Sequence, residues 1–274
     1  PHNDYANEPQ DNGNRVNIGG YGNTSEASRS GDPNYSTTWT GWSKGRGNTT
    51  AGNSNWNDAA NWSKGVPTSS SNVLIPDRSA VDEEPGTAGT QAPSQPVLNA
   101  AGSAATLFVG DTANVYAGAS PNAVLEMTNA TDYTLTVSGT SAAPGAPAGA
   151  VVYIDATGEL KISSGTLSVP NATGANAIEN DGIVRISTAG TGNATIAGHF
   201  RTDATAAGEG LQFDGTFSFA FQRDFRRETT SAVVNMPSGS TIRFTGGNAQ
   251  TVDPNGASFA NVTAFETSSG LVLV

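Results

Sequence analysis

The chain has 274 residues, 13 Lys and Arg against 24 Asp and Glu, a formal net charge of −11 and no cysteine. The missing cysteines exclude a disulfide scaffold, a thiolate zinc site and a cysteine nucleophile. The acidic balance argues against nucleic acid, and no run of about eighteen apolar residues offers a membrane span.

Only 14% of residues are charged, against roughly 25% in an average soluble domain. Thr, Ser, Asn, Gly and Ala fill the space instead, a composition suited to short strands joined by tight turns. His2 and His199 lie far apart in sequence, which speaks against a His-rich metal site or a His-based triad. No charged and apolar leader opens the chain, so a secreted form is expected to have lost any signal peptide.

Residues 1–36 are polar, with one short apolar core in Arg15-Val16-Asn17-Ile18-Gly19-Gly20-Tyr21-Gly22, and by themselves bury too little to fold. The phrase Asn14 to Thr24, followed by Ala27-Ser28, resembles the closing segment of bacterial right-handed parallel β-helix surface proteins. The resemblance implies that residues 1–36 are the end of a preceding β-helix or an extended linker.

Residues 37–95 are expected to form a Trp-rich capping subdomain. They carry all four tryptophans, Trp39, Trp42, Trp56 and Trp62, and large aromatics in a polar, Gly-rich background need something to bury against. One reading has the indoles seal the open end of a solenoid; the other has them form a platform that stacks on sugar rings. The phrases around Trp39-Thr40-Gly41, Asn55 to Trp62, Gly65 to Thr68 and Asn72 to Pro76 fall in the order of a module that precedes a β-solenoid in large bacterial surface proteins. That resemblance supports the cap.

From Pro96 to Val274 the texture changes to short strands punctuated by Gly, Asn and Asp. Strands are predicted over 106–109, 123–127, 133–138, 150–155, 159–163, 166–169 and 182–187. More follow over 194–197, 211–213, 216–221, 232–236, 240–244 and 269–274. Many alternate with the period of two of a half-buried strand, as Leu160-Lys161-Ile162 does. Gly158 to Ile162, Gly165 to Val169 and Gly182 to Ile186 echo one another, each a turn glycine followed by apolar residues two apart. The fold expected is all-β, with a β-solenoid or parallel β-helix-like body behind the Trp-rich cap; a β-sandwich is the alternative. Residues 77–95 and 138–149 are predicted to be loops thrown out from the body. The one helix candidate, 221–229, reads instead as a charged loop or strand edge, with Arg223, Arg226 and Arg227 beside Asp224 and Glu228.

The C-terminal phrases Thr241 to Gly246, Ala249 to Val252, Ser258 to Val262 and Ser268 to Leu273 resemble the repeating coil of such surface proteins. The natural protein is therefore expected to continue past Val274. Leu271, Val272, Leu273 and Val274 form the candidate assembly edge, since an unpaired end strand invites another chain.

Chemistry is sparse. Asp155, Glu159, Asp181, Asp203 and Asp214 fall in the solenoid region and could line one face, where a glycosidase would need a carboxylate pair. A lyase would need a base to accompany the Arg223/Arg226/Arg227 group. Calcium is the cofactor left open: Asp82-Glu83-Glu84 and Asp253-Pro254-Asn255-Gly256 offer oxygen ligands, without EF-hand spacing. Asn-x-Ser/Thr acceptors occur at Asn23, Asn34, Asn61, Asn129 and Asn261. The chain is expected to be non-enzymatic, extracellular on a bacterial surface, and structural or adhesive, associating with itself, with neighbouring domains or with surface glycans. A carbohydrate-binding or polysaccharide-degrading module is the alternative.

Overall fold

Short runs in which apolar side chains recur two positions apart become strands that stack coil upon coil. The computed structural model describes residues 34–39, 54–76, 95–110, 123–127, 132–147, 149–172, 177–187, 194–206, 208–215, 218–247, 249–257, 259, 262–267 and 271–273. The chain passes through β1 (Thr37–Thr38), a 3-10 turn at Ala59–Asn61 and β2 (Asn72–Ile75). Complete coils of three strands follow: β3 (Val97–Leu98), β4 (Gly102–Ala104) and β5 (Thr106–Val109), then β6 (Ala123–Met127), β7 (Thr134–Val137) and β8 (Val152–Ile154). Next come β9 (Gly158–Ile162), β10 (Gly165–Ser168) and β11 (Ile178–Asn180), then β12 (Ile183–Ile186), β13 (Ala194–Ala197) and β14 (Phe200–Thr202). Two more coils hold β15 (Gly210–Phe213), β16 (Ser218–Phe221) and β17 (Phe225–Arg227), and β18 (Val233–Asn235), β19 (Thr241–Gly246) and β20 (Gln250–Asp253). The last strands are β21 (Val262–Thr267) and β22 (Leu271–Leu273).

Each coil adds one strand to each of three sheets. The nine-stranded sheet runs β1-β2-β5-β8-β11-β14-β17-β20-β22, the seven-stranded β21-β19-β16-β13-β10-β7-β4, and the six-stranded β18-β15-β12-β9-β6-β3. Every pairing between these strands is parallel, so the fold is a parallel β-helix-like solenoid. The β-sandwich alternative falls, because its sheets are antiparallel. The coil length is not fixed: residues in contact between adjacent coils stand 22 apart at Asn180 and Thr202, 25 at His199 and Asp224, and 27 at Asp224 and Thr251.

Parallel register makes the core a set of columns. In the nine-stranded sheet Val73, Leu107, Val152, Ile178, Phe200, Phe225 and Val252 stand one on another, and each is fully buried. In the seven-stranded sheet the column is Leu135, Leu167, Ile196, Phe221 and Phe244. The interior is aliphatic at mid-length and becomes phenylalanine-rich toward the C-terminal coils. There Phe221 lies with its ring centre 4.8 Å from Phe219, 5.1 Å from Phe225, 5.6 Å from Phe200 and 5.9 Å from Phe244.

The corner into the six-stranded sheet needs glycine for a reason of space. A Cβ on Gly158 would stand 2.3 Å from the Val109 carbonyl oxygen, and one on Gly182 would stand 2.2 Å from that of Asp155. Both neighbours are backbone of the coil beneath, which cannot swing away.

Two loop expectations are corrected. Residues 138–147 are not thrown out from the body: Ala143, Ala146 and Ala150 pack with Tyr35 on the outer face of the nine-stranded sheet, over Leu74, Phe108 and Tyr153. Small side chains let that strap lie close to the sheet. Phe225–Arg227, predicted as a charged loop or strand edge, is an interior strand between β14 and β20. The other predicted loop, 77–95, lies almost wholly outside the described residues, as do 1–33.

Candidate functional site

In the nine-stranded sheet β8, β11, β14 and β17 are each followed at once by an acid. The phrases are Val152-Tyr153-Ile154-Asp155, Ile178-Glu179-Asn180-Asp181, Phe200-Arg201-Thr202-Asp203 and Phe225-Arg226-Arg227-Glu228. The first residue of each points into the core. The second points outward, giving the column Leu74, Phe108, Tyr153, Glu179, Arg201, Arg226 and Asp253. The fourth lies just past the strand and brings Asp155, Asp181, Asp203 and Glu228 to the same position in successive coils. Asn180 and Thr202, third in their phrases, are buried one above the other, with Asn180 Nδ2 donating to Thr202 Oγ1 at 3.2 Å and Thr202 Oγ1 donating to the Asn180 carbonyl at 3.1 Å.

Stacking puts like charges close. Adjacent strands are about 4.8 Å apart, and two carboxylates at roughly 5 Å repel by about 3 kcal/mol at an effective dielectric constant of ~20. Arg201 offsets part of this: its guanidinium donates to Glu179 Oε1 at 3.0 Å and to Asp203 Oδ2 at 2.7 Å, and lies 3.5 Å from Glu228. The Tyr153 hydroxyl donates to Asp181 Oδ2 at 2.7 Å and lies 3.2 Å from Asp155 Oδ1. One oxygen from each of Glu179, Asp181 and Asp203 falls within 4.8 Å of the other two.

Burial governs the titration of this cluster. It pushes Asp181 up to about 7, helped by the neighbouring Asp203 carboxyl and opposed by the Tyr153 hydroxyl. Burial also raises Glu179, against the pull of Arg201 and with the push of Asp203 and Glu228. Tyr153 is raised far above its usual range, by burial first and then by Asp181 and Asp155, so it remains a protonated donor.

Of the five acids singled out in the sequence, the structure brings Asp155, Asp181 and Asp203 into this column. Glu159 and Asp214 belong to the six-stranded sheet, where both bond Arg185, at 2.7 and 2.9 Å, and Lys161 pairs with Glu126 at 2.9 Å. The arginine group does not converge. Arg226 pairs with Glu228 at 3.1 Å, while Arg227, adjacent in the strand and so facing the other way, donates to the Thr230, Ala232 and Asn255 carbonyls. In Asp253-Pro254-Asn255-Gly256 the oxygen Asp253 Oδ1 caps the turn by accepting from the Asn255 amide; Asp82-Glu83-Glu84 lies outside the described residues. Glu179 and Arg201 were missed, although the recurring apolar–polar–polar–acid phrase of 178–181, 200–203 and 225–228 was there to mark them; Tyr153 was missed as well, and its phrase, with Ile154 in third place, breaks that pattern.

The tryptophans form a buried cluster. Trp56 is fully buried, Trp39 and Trp62 nearly so; the Trp62 ring meets Trp39 and Trp56 edge-on at 5.0 and 4.8 Å, and its Nε1 donates to the Trp56 carbonyl at 2.7 Å. Rings enclosed this way present no face to a sugar. Trp42 lies outside the described residues. The Asn61 acceptor is itself buried, which closes it to a glycan in the folded chain. Leu271–Leu273 is β22, outermost in the nine-stranded sheet; Val274 lies outside the described residues. Comparison with models of known protein families, with curated proteins and with solved structures gives no match.

Proposed function

We propose that this chain is a non-enzymatic structural or adhesive element of an extracellular bacterial surface, a stiff solenoid that associates through its ends into a layer or fibre. The observation that supports this most is the unbroken inward column from Val73 to Val252, fully buried through seven strands in parallel register. Such stacking makes a rod roughly 40 Å long across the nine-stranded sheet. At its C-terminal side β18 has no further strand upon it among the described residues, and β21 and β22 are outermost in their sheets. Outermost strands carry unpaired N–H and C=O groups, which a second copy or a further coil can take up.

The acid cluster fits structure better than hydrolysis. Glycosidases set their two carboxyl groups about 5–5.5 Å or 6.5–9.5 Å apart across a sugar, whereas one oxygen from each of Glu179, Asp181 and Asp203 falls within 4.8 Å of the other two and Arg201 ties Asp203 to Glu179. Negative-stain electron microscopy of the purified protein tests the reading. End-to-end fibres or sheets are the expected result; particles that stay single at high concentration, with sugar released from a polysaccharide panel, would overturn it.

One observation favours carbohydrate binding as a second reading. A polar groove of about 210 Å³ on the outer face of the seven-stranded sheet is lined by Thr195, Ser218, Gln222, Arg243 and Thr245, hydroxyl, amide and guanidinium groups suited to sugar hydroxyls. Binding on a glycan array that Arg243→Ala abolishes would support it.

A further inference from the structure

We propose that Glu179, Asp181 and Asp203 bind a divalent cation of the hard, oxygen-seeking class, such as calcium, which ties the coil of β11 to that of β14. The closeness of the three carboxyls is not what carries this; the unspent oxygens are. Arg201 and Tyr153 occupy one oxygen of each group: Glu179 Oε1, Asp203 Oδ2 and Asp181 Oδ2. The remaining oxygens, Glu179 Oε2, Asp203 Oδ1 and Asp181 Oδ1, are buried and accept from no donor of the protein. Glu179 decides the matter. Its side chain is only 3% exposed, so its free oxygen is held away from bulk water, on a carboxyl that stands beside two other acids. An uncompensated buried carboxylate oxygen is costly.

Charge and chemistry agree on what fills the gap. A bound cation needs its carboxyl ligands deprotonated, and in that state three carboxylates against the one guanidinium that touches them leave two negative charges, the charge of one divalent ion. A shared proton would answer only the Asp181–Asp203 contact and leave Glu179 Oε2 as it is. The ligands are all carboxylate oxygens, the donors that calcium takes in flexible geometry. The six-stranded sheet is the internal contrast. Glu126, Glu159 and Asp214 there are matched by Lys161 and Arg185, and none has a buried oxygen lacking a donor.

The test is titration of the chelator-treated chain with calcium chloride by calorimetry, with thermal unfolding in parallel. Saturable binding is expected, with the unfolding midpoint rising by roughly 5–10 °C at a hundredfold excess over the dissociation constant. Glu179→Gln and Asp203→Asn should weaken binding by about tenfold or more, and Asp214→Asn should leave it unchanged. In chelator both variants should be no less stable than the parent, because each removes a like charge; this separates a lost ligand from a damaged fold. No heat and no shift with calcium, or equal binding by the parent and both variants, overturns the proposal and leaves the reading of the chain as a surface solenoid untouched.

Discussion

Replacing Phe221 by alanine tests the account of the core. Phe221 is fully buried at the end of β16 and meets four other rings, those of Phe200, Phe219, Phe225 and Phe244. Truncating a buried phenylalanine costs about 3–5 kcal/mol, as lost transfer energy plus the cavity left behind. Edge-on pairs add roughly 0.5–1.5 kcal/mol beyond area, and the neighbouring rings are held by parallel register and cannot collapse inward. The expected loss therefore lies at the upper end, about 4–5 kcal/mol, against less than about 1.5 kcal/mol for Phe221→Leu if the neighbours repack. Urea unfolding measures the total, and native-state hydrogen exchange locates it. In a solenoid each coil touches only its neighbours, so protection should fall in β13 to β20 and persist in β5 and β8. A loss under about 1 kcal/mol, or protection that falls evenly along the chain, would refute the columnar picture.

Gly182→Ala should destabilise by about 2 kcal/mol or more in urea unfolding, since its Cβ would meet the Asp155 and Gly158 carbonyl oxygens at 2.2 and 2.4 Å; Gly247→Ala, with open space around it, should stay within about 0.5 kcal/mol. Tyr153→Phe removes the donor to Asp181 and should cost about 1–3 kcal/mol, while raising the Asp181 pKa further, as carboxyl infrared titration would show. In chelator, stability should be greatest at acid pH and fall as pH rises. Asp181 is up at about 7 in the folded chain against an ordinary 3.8, so between these values the folded state holds a proton that the unfolded state has released. The loss is at most about 4 kcal/mol across that window, reduced by solvent screening of a half-buried group, and Asp181→Asn should flatten it in thermal scans buffered from pH 4 to 8.

How legible the fold was depended on strand composition. β5, β6 and β13 were predicted residue for residue because Thr106–Val109, Ala123–Met127 and Ala194–Ala197 each hold several apolar or β-branched residues. β11, β14 and β17 were not predicted as strands. They read Ile-Glu-Asn, Phe-Arg-Thr and Phe-Arg-Arg, with one apolar residue apiece, too few to display a period of two. Their strand character comes from the coils above and below, which a single short phrase does not contain. The cluster suffered the same way. Asp155, Asp181 and Asp203 were named as acids that could share a face, but placing Glu159 and Asp214 on another sheet required the corner at Gly158, and that is a matter of backbone approach.

A solenoid stacks every choice of side chain on itself, so each outward position must settle its own repetition. The nine-stranded sheet does this in two ways along one column. Leu74, Phe108 and Tyr153 are apolar and roofed by the alanine strap, while Arg226 and Asp253, further on, are half-buried, and Arg226 is paired with Glu228. Glu179 and Arg201 lie between these regimes. Tyr153 is the last ring under the strap and the first donor to the acids, so burial continues into Glu179, which is 2% exposed, although apolar character does not. Arg201 is one cation for a run of acids on either side of it. Among the described residues, the rung joining β8, β11 and β14 is thus the place where the protein's own groups leave most unsettled. For a chain whose proposed work depends on stiffness, an ion held there would set how firmly those coils stay together, and the calcium of its surroundings would govern that stiffness.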